Sequence, residues 1–342
     1  MEREKKTIEL ESGAGGEKSN SLISQIRKNF AVSRKWKNMQ DDGAVFDLGM
    51  NNVETPRQGV STASNKLVFT TDAFIVDPIF FPGGDIGKIA MCGTINDLSV
   101  MGAKPIGIGL SLVIEEGFPE EDLQKIVASI GKVSAESGVP IVTGDTKVTE
   151  RGKIDKIEIT TSGVGLAKKI IGNSGAKVGD VVIASGNLGE HAVALLAKRF
   201  NYQTKIKSDC QTLTREIQSV AKYLTACKDP TRGGMAAVLN EIAEKSKVKI
   251  VLAENTLPFS KETVALSELL GIDKFSFPSE GRFVATVQPK QAKKALQILQ
   301  KFNAQAKIIG SVEPGKGVFL NTSLGGTKKI DVPRGKLIPR IC

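Results

Sequence analysis

The 342-residue sequence contains one histidine, His191, and its four cysteines show no Cys-x-x-Cys spacing. A single histidine cannot form a multi-histidine metal centre, and it gives little support to a Ser-His-Asp triad. Cys92, Cys210, Cys227 and Cys342 are too few and too widely spaced for a zinc motif or a disulfide framework in a chain of this length. For His191 we favour a position at a helix start with a structural hydrogen bond.

Long apolar runs and aromatic side chains are also scarce. No apolar segment approaches the ~20 residues of a membrane-spanning helix, and the charged segment Met1–Lys6 leads into no signal-peptide core. We therefore expect a cytoplasmic protein with no membrane partner. Aromatic residues make up 5% of the sequence, and no stacking platform or basic helix is evident, so we expect no nucleic-acid partner. The net charge of +10 still favours an anionic ligand such as a nucleotide.

The sequence does contain enough core-forming material for about two domains. Alternating strand and helix patterns predict an α/β (α+β) fold. We divide the chain into an N-terminal glycine-loop segment (1–40), a first domain (41–167), a second domain (168–330) and a tail (331–342). The tail has two prolines, a glycine and no helical period, which predicts a mobile extended arm ending on the thiol of Cys342. In the second domain the patterns predict helices over 189–200, 212–226, 234–246, 261–270 and 290–302.

Several acidic residues lie within or next to the apolar segments of the first domain. Asp41 and Asp42 lie in an Asp-Asp-Gly turn, Asp72 ends an apolar strand, and Asp97 follows Asn96 inside an apolar helix for which Asp85 is the predicted N-cap. A buried carboxylate needs a partner, and Mg²⁺ prefers hard oxygen ligands. These carboxylates are therefore candidate ligands, with ordinary turn chemistry, a salt bridge or an exposed face as the alternatives.

Four further segments could carry chemistry. A strand that begins near Val139 runs into Thr143-Gly144-Asp145-Thr146-Lys147, which places an acid, a hydroxyl and an amine at one strand end, where the sites of α/β proteins assemble. The loop Gly13–Gly16 precedes a helix and could present N–H groups to a phosphate, or be a plain linker. Two charged turns, Lys228–Met235 and Phe277–Arg282, precede a helix and a strand, and each could be turn chemistry alone.

In their order along nearly the whole chain, these segments resemble the HypE carbamoyl dehydratases of [NiFe]-hydrogenase maturation. That family belongs to the ATP-binding superfamily of aminoimidazole ribonucleotide synthetase and selenophosphate synthetase. The resemblance is carried by Ser12–Gly16, Asp41–Ala44, Asp77–Lys88, Gly93–Leu98, Gly144–Lys147, Asp229–Gly234, Glu280–Gly281 and Pro339–Cys342. Two positions depart from the family pattern: Ser12 replaces a histidine, and Arg282 replaces a lysine, which keeps the charge but loses a titratable amine.

The resemblance implies a two-domain aminoimidazole ribonucleotide synthetase-like fold in which the N-terminal sheets of two subunits meet at a dimer interface. It implies that 41–167 binds ATP with Mg²⁺. It also implies that ATP drives the dehydration of a carbamoyl group on the Cys342 thiol to a thiocyanate, the source of the hydrogenase cyanide ligand. The implied partners are a second copy of the chain, the carbamoyltransferase HypF and the HypC–HypD iron-carrier complex.

The resemblance also assigns roles to individual residues. The catalytic residues would be Cys342 as the carrier, Glu280 as the base and Lys147 as its assistant. The nucleotide would contact Asp42, Asp72, Asn96, Asp97, Thr143, Gly144, Asp145 and Lys147. The Mg²⁺ ligands would come from Asp41, Asp42, Asp72, Asp97 and Asp145.

Two other functions remain open at this point. One is a small-molecule synthetase of the selenophosphate synthetase type, which normally carries its reactive Cys or selenocysteine in the N-terminal glycine loop. That loop contains no Cys here, so residues 7–30 argue against it. The other is a nucleotide-binding scaffold that recruits maturation partners without turnover.

Overall fold

The computed structural model describes residues 8–9, 12, 16–29, 35–48, 66–333 and 338–342. Most of the predicted glycine loop, Gly13 to Gly15, lies outside them, as do residues 334–337 of the tail. The described part of the chain forms two large β-sheets, each packed against helices, and one two-stranded sheet, as expected for the predicted α/β fold. No helix in these ranges is both long and apolar enough to cross a bilayer.

The first sheet has six strands, and a short hairpin stands beside it. The strands of this half are β1 (Trp36–Lys37), β2 (Ala44–Asp47), β3 (Lys66–Phe74), β4 (Phe80–Phe81), β5 (Gly84–Asp85), β6 (Lys104–Glu115), β7 (Ile141–Thr149) and β8 (Ile157–Ala167). The order in the sheet is β1-β2-β3-β8-β6-β7, and β4 pairs only with β5. All neighbours are antiparallel except β6 and β7, which are parallel.

The second sheet has seven strands. They are β9 (Val181–Ala184), β10 (Leu224–Lys228), β11 (Lys249–Ala253), β12 (Val284–Val287), β13 (Lys307–Glu313), β14 (Gly317–Asn321) and β15 (Thr327–Ile330), in the order β10-β12-β9-β13-β11-β14-β15. The described helices are α1 (Gly16–Arg27), α2 (Ile86–Val100), α3 (Glu120–Ser137), α4 (Glu190–Arg199), α5 (Thr214–Val220), α6 (Gly234–Ser246), α7 (Lys261–Leu270) and α8 (Pro289–Leu299).

Helix α2 is the centre of the first half. Its N-cap is Asp85, as predicted, since the Asp85 side chain accepts a hydrogen bond from the Lys88 N–H at 3.0 Å. The helix lies very close to the sheet at Gly93. A Cβ at this position would stand only 2.9 Å from the Phe74 ring, so a larger residue would not fit there without a shift. This close approach brings the polar residues of α2 beside those at the end of β3.

Strand β7 differs from the other long strands because it lies at the sheet edge with exposed side chains from Ile141 to Val148 on both faces. Val142 is 61% exposed and Val148 is 69% exposed. An edge strand with uncovered apolar side chains is a natural pairing surface for another chain.

One predicted helix, over 212–226, is wrong in its second part. Helix α5 ends at Val220, and Leu224–Lys228 forms β10, which pairs with β12. The pairing buries Leu224, Ala226 and Cys227 in the second half of the molecule. Burial against the sheet therefore outweighs the local helical pattern. That pattern contains no information about a strand partner about 60 residues away.

The described end of the tail packs into the core that joins the two halves. Ile338 is 6% exposed and Ile341 is 3% exposed, and both belong to the apolar cluster that contains Ile89 of α2 and Phe277 of the second half. The tail is docked against the folded body from Ile338 to Cys342.

Candidate active site

A cavity of about 40 Å³ opens where the docked tail meets both halves of the molecule. This space accommodates roughly three water molecules, which is enough for a group of a few heavy atoms such as a carbamoyl. Its polar lining includes Asp72, Asp97, Asp229, Arg232, Glu280 and Cys342.

The polar residues of the cavity come from five different segments, and Asp229 and Arg232 share one of them. Asp72 lies near the end of β3, and Asp97 lies on the face of α2 that covers this strand. Asp229 directly follows β10, and Glu280 lies in the loop before β12. Cys342 is the last residue of the tail. Segments distant in sequence thus converge on one point, as is usual for a functional site.

Three carboxylates lie close enough to share a cation. Asp42, Asp97 and Asp229 each present an oxygen within 4.8 Å of the others. An octahedral Mg²⁺ with bonds of about 2.1 Å holds its ligand oxygens about 3 to 4 Å apart, so oxygens this close to one another lie near the spacing that a shared ion requires. Asp72 lies within hydrogen-bonding reach of Asp97 and accepts from the Thr94 hydroxyl at 3.1 Å.

The protein supplies too little positive charge for this cluster. Lys228 pairs with Asp42, and its ammonium group lies 3.6 Å from Glu241. The second carboxylate oxygen of Asp42, Oδ2, is buried and has no hydrogen-bond partner. A buried carboxylate oxygen without a partner is costly, and a divalent cation would satisfy it. The residues present therefore fit Mg²⁺.

Burial and mutual repulsion alter the acidity of the cluster. Desolvation raises the pKa of Asp97 well above its ordinary value, and the neighbouring Asp72, Asp229 and Asp42 raise it further. Desolvation, with the Asp42 carboxylate beside it, raises the pKa of Asp229 to about 7. Without a cation the cluster therefore holds protons at pH values where isolated aspartates have lost them.

Glu280 is the buried carboxyl group beside the tail. It is 2% exposed, and its Oε1 has no hydrogen-bond partner. Its backbone is fixed on both sides: its N–H donates to Asp209 at 2.8 Å, and its carbonyl accepts from the Asn96 amide at 3.1 Å. Desolvation, followed by the charges of Asp229 and Asp209, raises the pKa of Glu280 well above its usual range. This carboxyl group is positioned firmly and has an oxygen available for a proton.

The Cys342 thiol lies within hydrogen-bonding reach of the Glu280 carboxyl. The residue as a whole is partly accessible, but protein surrounds the thiol. Desolvation, and then the negative charge of Glu280, raises the pKa of the thiol well above its ordinary value, while Arg232 acts in the opposite direction. Arg232 itself is exposed and stands at the cavity mouth. In the docked position Cys342 is therefore a neutral thiol and a weak nucleophile.

Several residues predicted for the site have other partners. Both carboxylate oxygens of Asp41 are bound, one by Lys245 at 2.9 Å and the other by Asn38 at 2.7 Å. The Asn96 side chain donates to the backbone carbonyls of Gln211 and Glu280 and accepts from the Leu213 N–H. Asn96 thus ties α2 to the second half of the molecule and is not aimed at a ligand.

The segment Thr143–Lys147 lies apart from the cavity in this chain. Asp145 pairs with Ser111 of β6, which pairs with Thr160 of β8, which pairs with Ala73 of β3. Three strand spacings separate Asp145 from Ala73, or about 14 Å. Asp145 and Lys147 are exposed and bind each other at 2.7 Å. Within one subunit they cannot bind the same metal ion as Asp97.

The role predictions did not include Asp229, Arg232 and Lys228. Asp229 completes the trio of carboxylates, Arg232 stands beside the thiol, and Lys228 neutralises Asp42. The available signal was the charged turn Lys228–Met235, in which an acid and two bases flank Pro230. His191, predicted to make a structural hydrogen bond, is fully buried and lies 2.8 Å from both the Ser208 hydroxyl and the Ile341 carbonyl, which confirms that prediction.

Comparisons with known proteins agree with this architecture. Residues 40–167 match the family model described as AIR synthase related protein, N-terminal domain, and residues 177–322 match the corresponding C-terminal domain. The chain is 39% identical over 347 residues to carbamoyl dehydratase HypE of Rhizobium leguminosarum, covering 98% of this chain and 95% of the relative. It is 37% identical to carbamoyl dehydratase HypE of Escherichia coli, covering 98% of this chain and 99% of the relative.

Solved structures show the same relationship. A HypE–HypF complex contains a chain of 38% identity with a TM-score of 0.81, covering 92% of this chain and all of that one. A HypE structure in complex with ATP has 32% identity and a TM-score of 0.78, covering 98% of this chain and all of that one. At 22% identity, an AaThiL structure with a TM-score of 0.67 shares the fold. The chain belongs to the HypE family of carbamoyl dehydratases, within the AIR synthase related proteins.

Proposed function

We propose that this protein uses ATP to dehydrate a carbamoyl group carried on the Cys342 thiol, producing a thiocyanate as the source of a cyanide ligand for the [NiFe]-hydrogenase iron. The observation that carries the proposal is the position of the Cys342 thiol, against the Glu280 carboxyl and in one cavity with Asp97 and Asp229. A substrate-carrying thiol, a base and a cation site thus meet at one place.

The reaction needs a leaving group and two deprotonations. The carbamoyl oxygen takes the γ-phosphoryl group of ATP, so that a P–O bond to ADP breaks and a new one forms. The carbamoyl nitrogen gives up one proton as its bond to carbon becomes double and a second as the carbon–oxygen bond breaks and phosphate departs. The products are a thiocyanate, ADP, phosphate and one net proton.

Glu280 is the proposed base for the nitrogen protons. Burial raises the pKa of Glu280, which makes its carboxylate a stronger base, and its Oε1 has no competing partner. Arg232 at the cavity mouth provides positive charge for the oxygen that acquires the phosphoryl group.

Asp42, Asp97 and Asp229 would hold Mg²⁺, with Asp72 adjoining them. Bound there, Mg²⁺ would neutralise phosphate charge. Asp41 and the exposed Asp145 remain proposed ligands, but they have less support than the other three. Asp41 already has two partners, and Asp145 is paired with Lys147. Thr143, Gly144 and Lys147 remain a proposed contact for the triphosphate, since they are exposed on β7.

The low acidity of the docked Cys342 thiol supports a tail that leaves this position for loading. Loading of the carbamoyl group needs a thiolate, and docking raises the pKa of the Cys342 thiol. We therefore propose that HypF loads Cys342 with the tail released and that the tail then docks for dehydration. The cyanide would pass to iron on a HypC–HypD complex. The crystallised HypE–HypF complex supports the first partner.

We place this reaction in the cytoplasm and in a homodimer. A reactive thiol must stay reduced, and all four cysteines of the chain are free. The exposed apolar edge of β7 supports pairing between the first sheets of two subunits.

Single-turnover phosphate release tests the proposal. Chain carbamoylated on Cys342 should release one phosphate per thiol converted when ATP is added, and the Cys342→Ser variant should release none above background. A scaffold would bind ATP without this stoichiometric burst. Equal phosphate release by the parent chain and Cys342→Ser would refute coupling of ATP to the thiol.

A further inference from the structure

Two backbone carbonyl groups of the tail accept hydrogen bonds from the folded body. The Arg340 carbonyl accepts hydrogen bonds from the Asp77 N–H at 3.1 Å and from the Arg199 guanidinium at 2.8 Å. The Ile341 carbonyl lies 2.8 Å from Nε2 of His191. Both side chains come from α4, with His191 in its first turn and Arg199 at its last residue. One helix thus contacts two consecutive carbonyls immediately before the reactive cysteine.

The surroundings of His191 determine its tautomer. A carbonyl oxygen can only accept, so Nε2 must carry the proton that is donated to Ile341. Nδ1 then accepts from the Ser208 hydroxyl at 2.8 Å, and the Ser208 oxygen accepts from the Cys210 N–H at 3.1 Å. The imidazole also packs edge-on against Phe81, with ring centroids 5.3 Å apart. His191 is therefore an oriented, single-proton donor.

Arg199 is fixed in a similar way. Its Nε donates to the Asp77 carbonyl at 2.8 Å, which holds the guanidinium plane while Nη2 reaches Arg340. The tail contributes an ion pair between Arg340 and Asp155, and the Ile341 side chain is buried. These described contacts end at Ile341, so a group attached to the Cys342 sulfur would not disturb them.

We propose that His191 and Arg199 form a tail clamp, a positioning site that recognises the Ile341 and Arg340 carbonyls and sets how often the Cys342 thiol lies beside Glu280. This inference rests on the proposed function and adds the residues that govern the exchange between loading and dehydration. His191 and Arg199 are positioning residues, because in the docked chain they bind tail backbone and not the reacting group.

The accessibility of the Cys342 thiol tests the clamp. Full-length chain is treated with iodoacetamide, and the C-terminal peptide is followed by mass spectrometry. His191→Leu and Arg199→Met should each raise the alkylation rate of Cys342 about fivefold, the effect expected from loss of one hydrogen bond. His191→Gln, which retains a side-chain N–H donor, should bring the rate back toward that of the parent chain. Lys198→Met, at the exposed neighbouring position of α4, should leave the rate unchanged.

The three buried cysteines are internal controls for general loosening. Cys92, Cys210 and Cys227 are 1–2% exposed and should stay unmodified in every variant. A second measurement distinguishes a positioning role from a purely structural one. With the carbamoyltransferase, the loading rate of His191→Leu should be unchanged or faster, while its dehydration rate should fall. Alkylation itself needs neither ATP nor dehydration, so failure of the proposed reaction would leave it interpretable.

Three results would overturn the clamp. The first is parental alkylation rates in both His191→Leu and Arg199→Met. The second is an equal acceleration in Lys198→Met. The third is reaction of the buried cysteines together with Cys342 in both clamp variants, since His191 and Arg199 would then act only in the stability of the fold.

Discussion

At the scale of single residues, the proposed chemistry depends on the contrast between Glu280 and the nearby aspartates. Asp42, Asp97 and Asp229 lie within reach of one another and repel, which suits a cation. Glu280 faces the thiol with an unpartnered oxygen. The same functional group, a carboxyl, can therefore serve two roles here, because its neighbours differ.

Replacing Glu280 with glutamine should separate loading from dehydration. The amide has nearly the same shape but cannot accept a proton from the carbamoyl nitrogen. We expect Glu280→Gln to accept the carbamoyl group at a normal rate and to convert it about 10²- to 10⁴-fold more slowly, the usual contribution of a general base. Quenched-flow sampling of the Cys342 peptide measures both steps. Conversion at the parental rate would exclude Glu280 as the base.

Four of the residue predictions show what one sequence can and cannot convey. Asp72 and Asp97 could be predicted as site candidates because an acid at a strand end or inside an apolar helix is unusual. Asp41 could not be separated from Asp42, because its partner Lys245 lies 204 positions away in the sequence. Asn96 had the same difficulty: its partners Gln211, Leu213 and Glu280 come from the other half of the molecule.

At the scale of elements, helices with local signals were predictable and strands with distant partners were not. Helices α6 and α7 have the predicted bounds, 234–246 and 261–270. Ser260 caps α7 by accepting from the Thr263 N–H, a contact within one turn. Strand β10 was assigned to a helix because only its pairing with β12, which no local pattern reveals, makes it a strand.

Several elements bring carboxylates together in the cluster, and we expect the stabilisation of the fold by Mg²⁺ to depend on pH. Folding raises the pKa values of Asp42, Asp97 and Asp229, so the folded state holds protons that the unfolded state has lost. These groups contribute stability below about pH 4, and that contribution is lost as the pH rises through their folded pKa values, about 7 for Asp229.

Mg²⁺ should therefore stabilise the protein more at pH 8 than at pH 5, where protons compete with it. At a concentration 100 times its dissociation constant, Mg²⁺ should raise the melting temperature by roughly 5 °C at pH 8. Asp97→Asn should lose most of this increase, and the partly exposed Asp122→Asn, on α3, should retain it. Scanning calorimetry at both pH values gives the answer. A larger increase at pH 5 than at pH 8 would contradict a carboxylate site.

At the scale of the whole molecule, the site joins the two halves and the tail. Helix α2 carries Asp97 from the first half, Asp229 and Glu280 come from the second, and Cys342 comes from the tail. The resemblance anticipated the two-domain fold, which the family match and the solved HypE structures confirm. The docked position of the tail could not be anticipated, because it depends on contacts such as His191 with Ile341, 150 positions apart in the sequence.

From the exposed edge of β7 we expect a dimer, and a lysine introduced on this edge should weaken it. Val148 is 69% exposed on this strand, and Val148→Lys would place an ammonium group in the proposed interface. We expect the variant to shift toward monomer in light scattering coupled to size exclusion. Leu324→Lys, at a 96% exposed position in the second half, is the matched control and should leave the mass unchanged. A parental mass for Val148→Lys would argue against this edge as the interface.

The central claim is that Cys342 carries the group that is dehydrated, and intact mass analysis of the C-terminal peptide tests it most directly. With the carbamoyltransferase and its substrates, the peptide should gain one carbamoyl group. After ATP and Mg²⁺ are added, the same peptide should lose the mass of one water, and Glu280→Gln should remain at the carbamoyl mass. A carbamoylated Cys342 peptide that keeps its full mass in the parent chain while ATP is consumed would contradict the account.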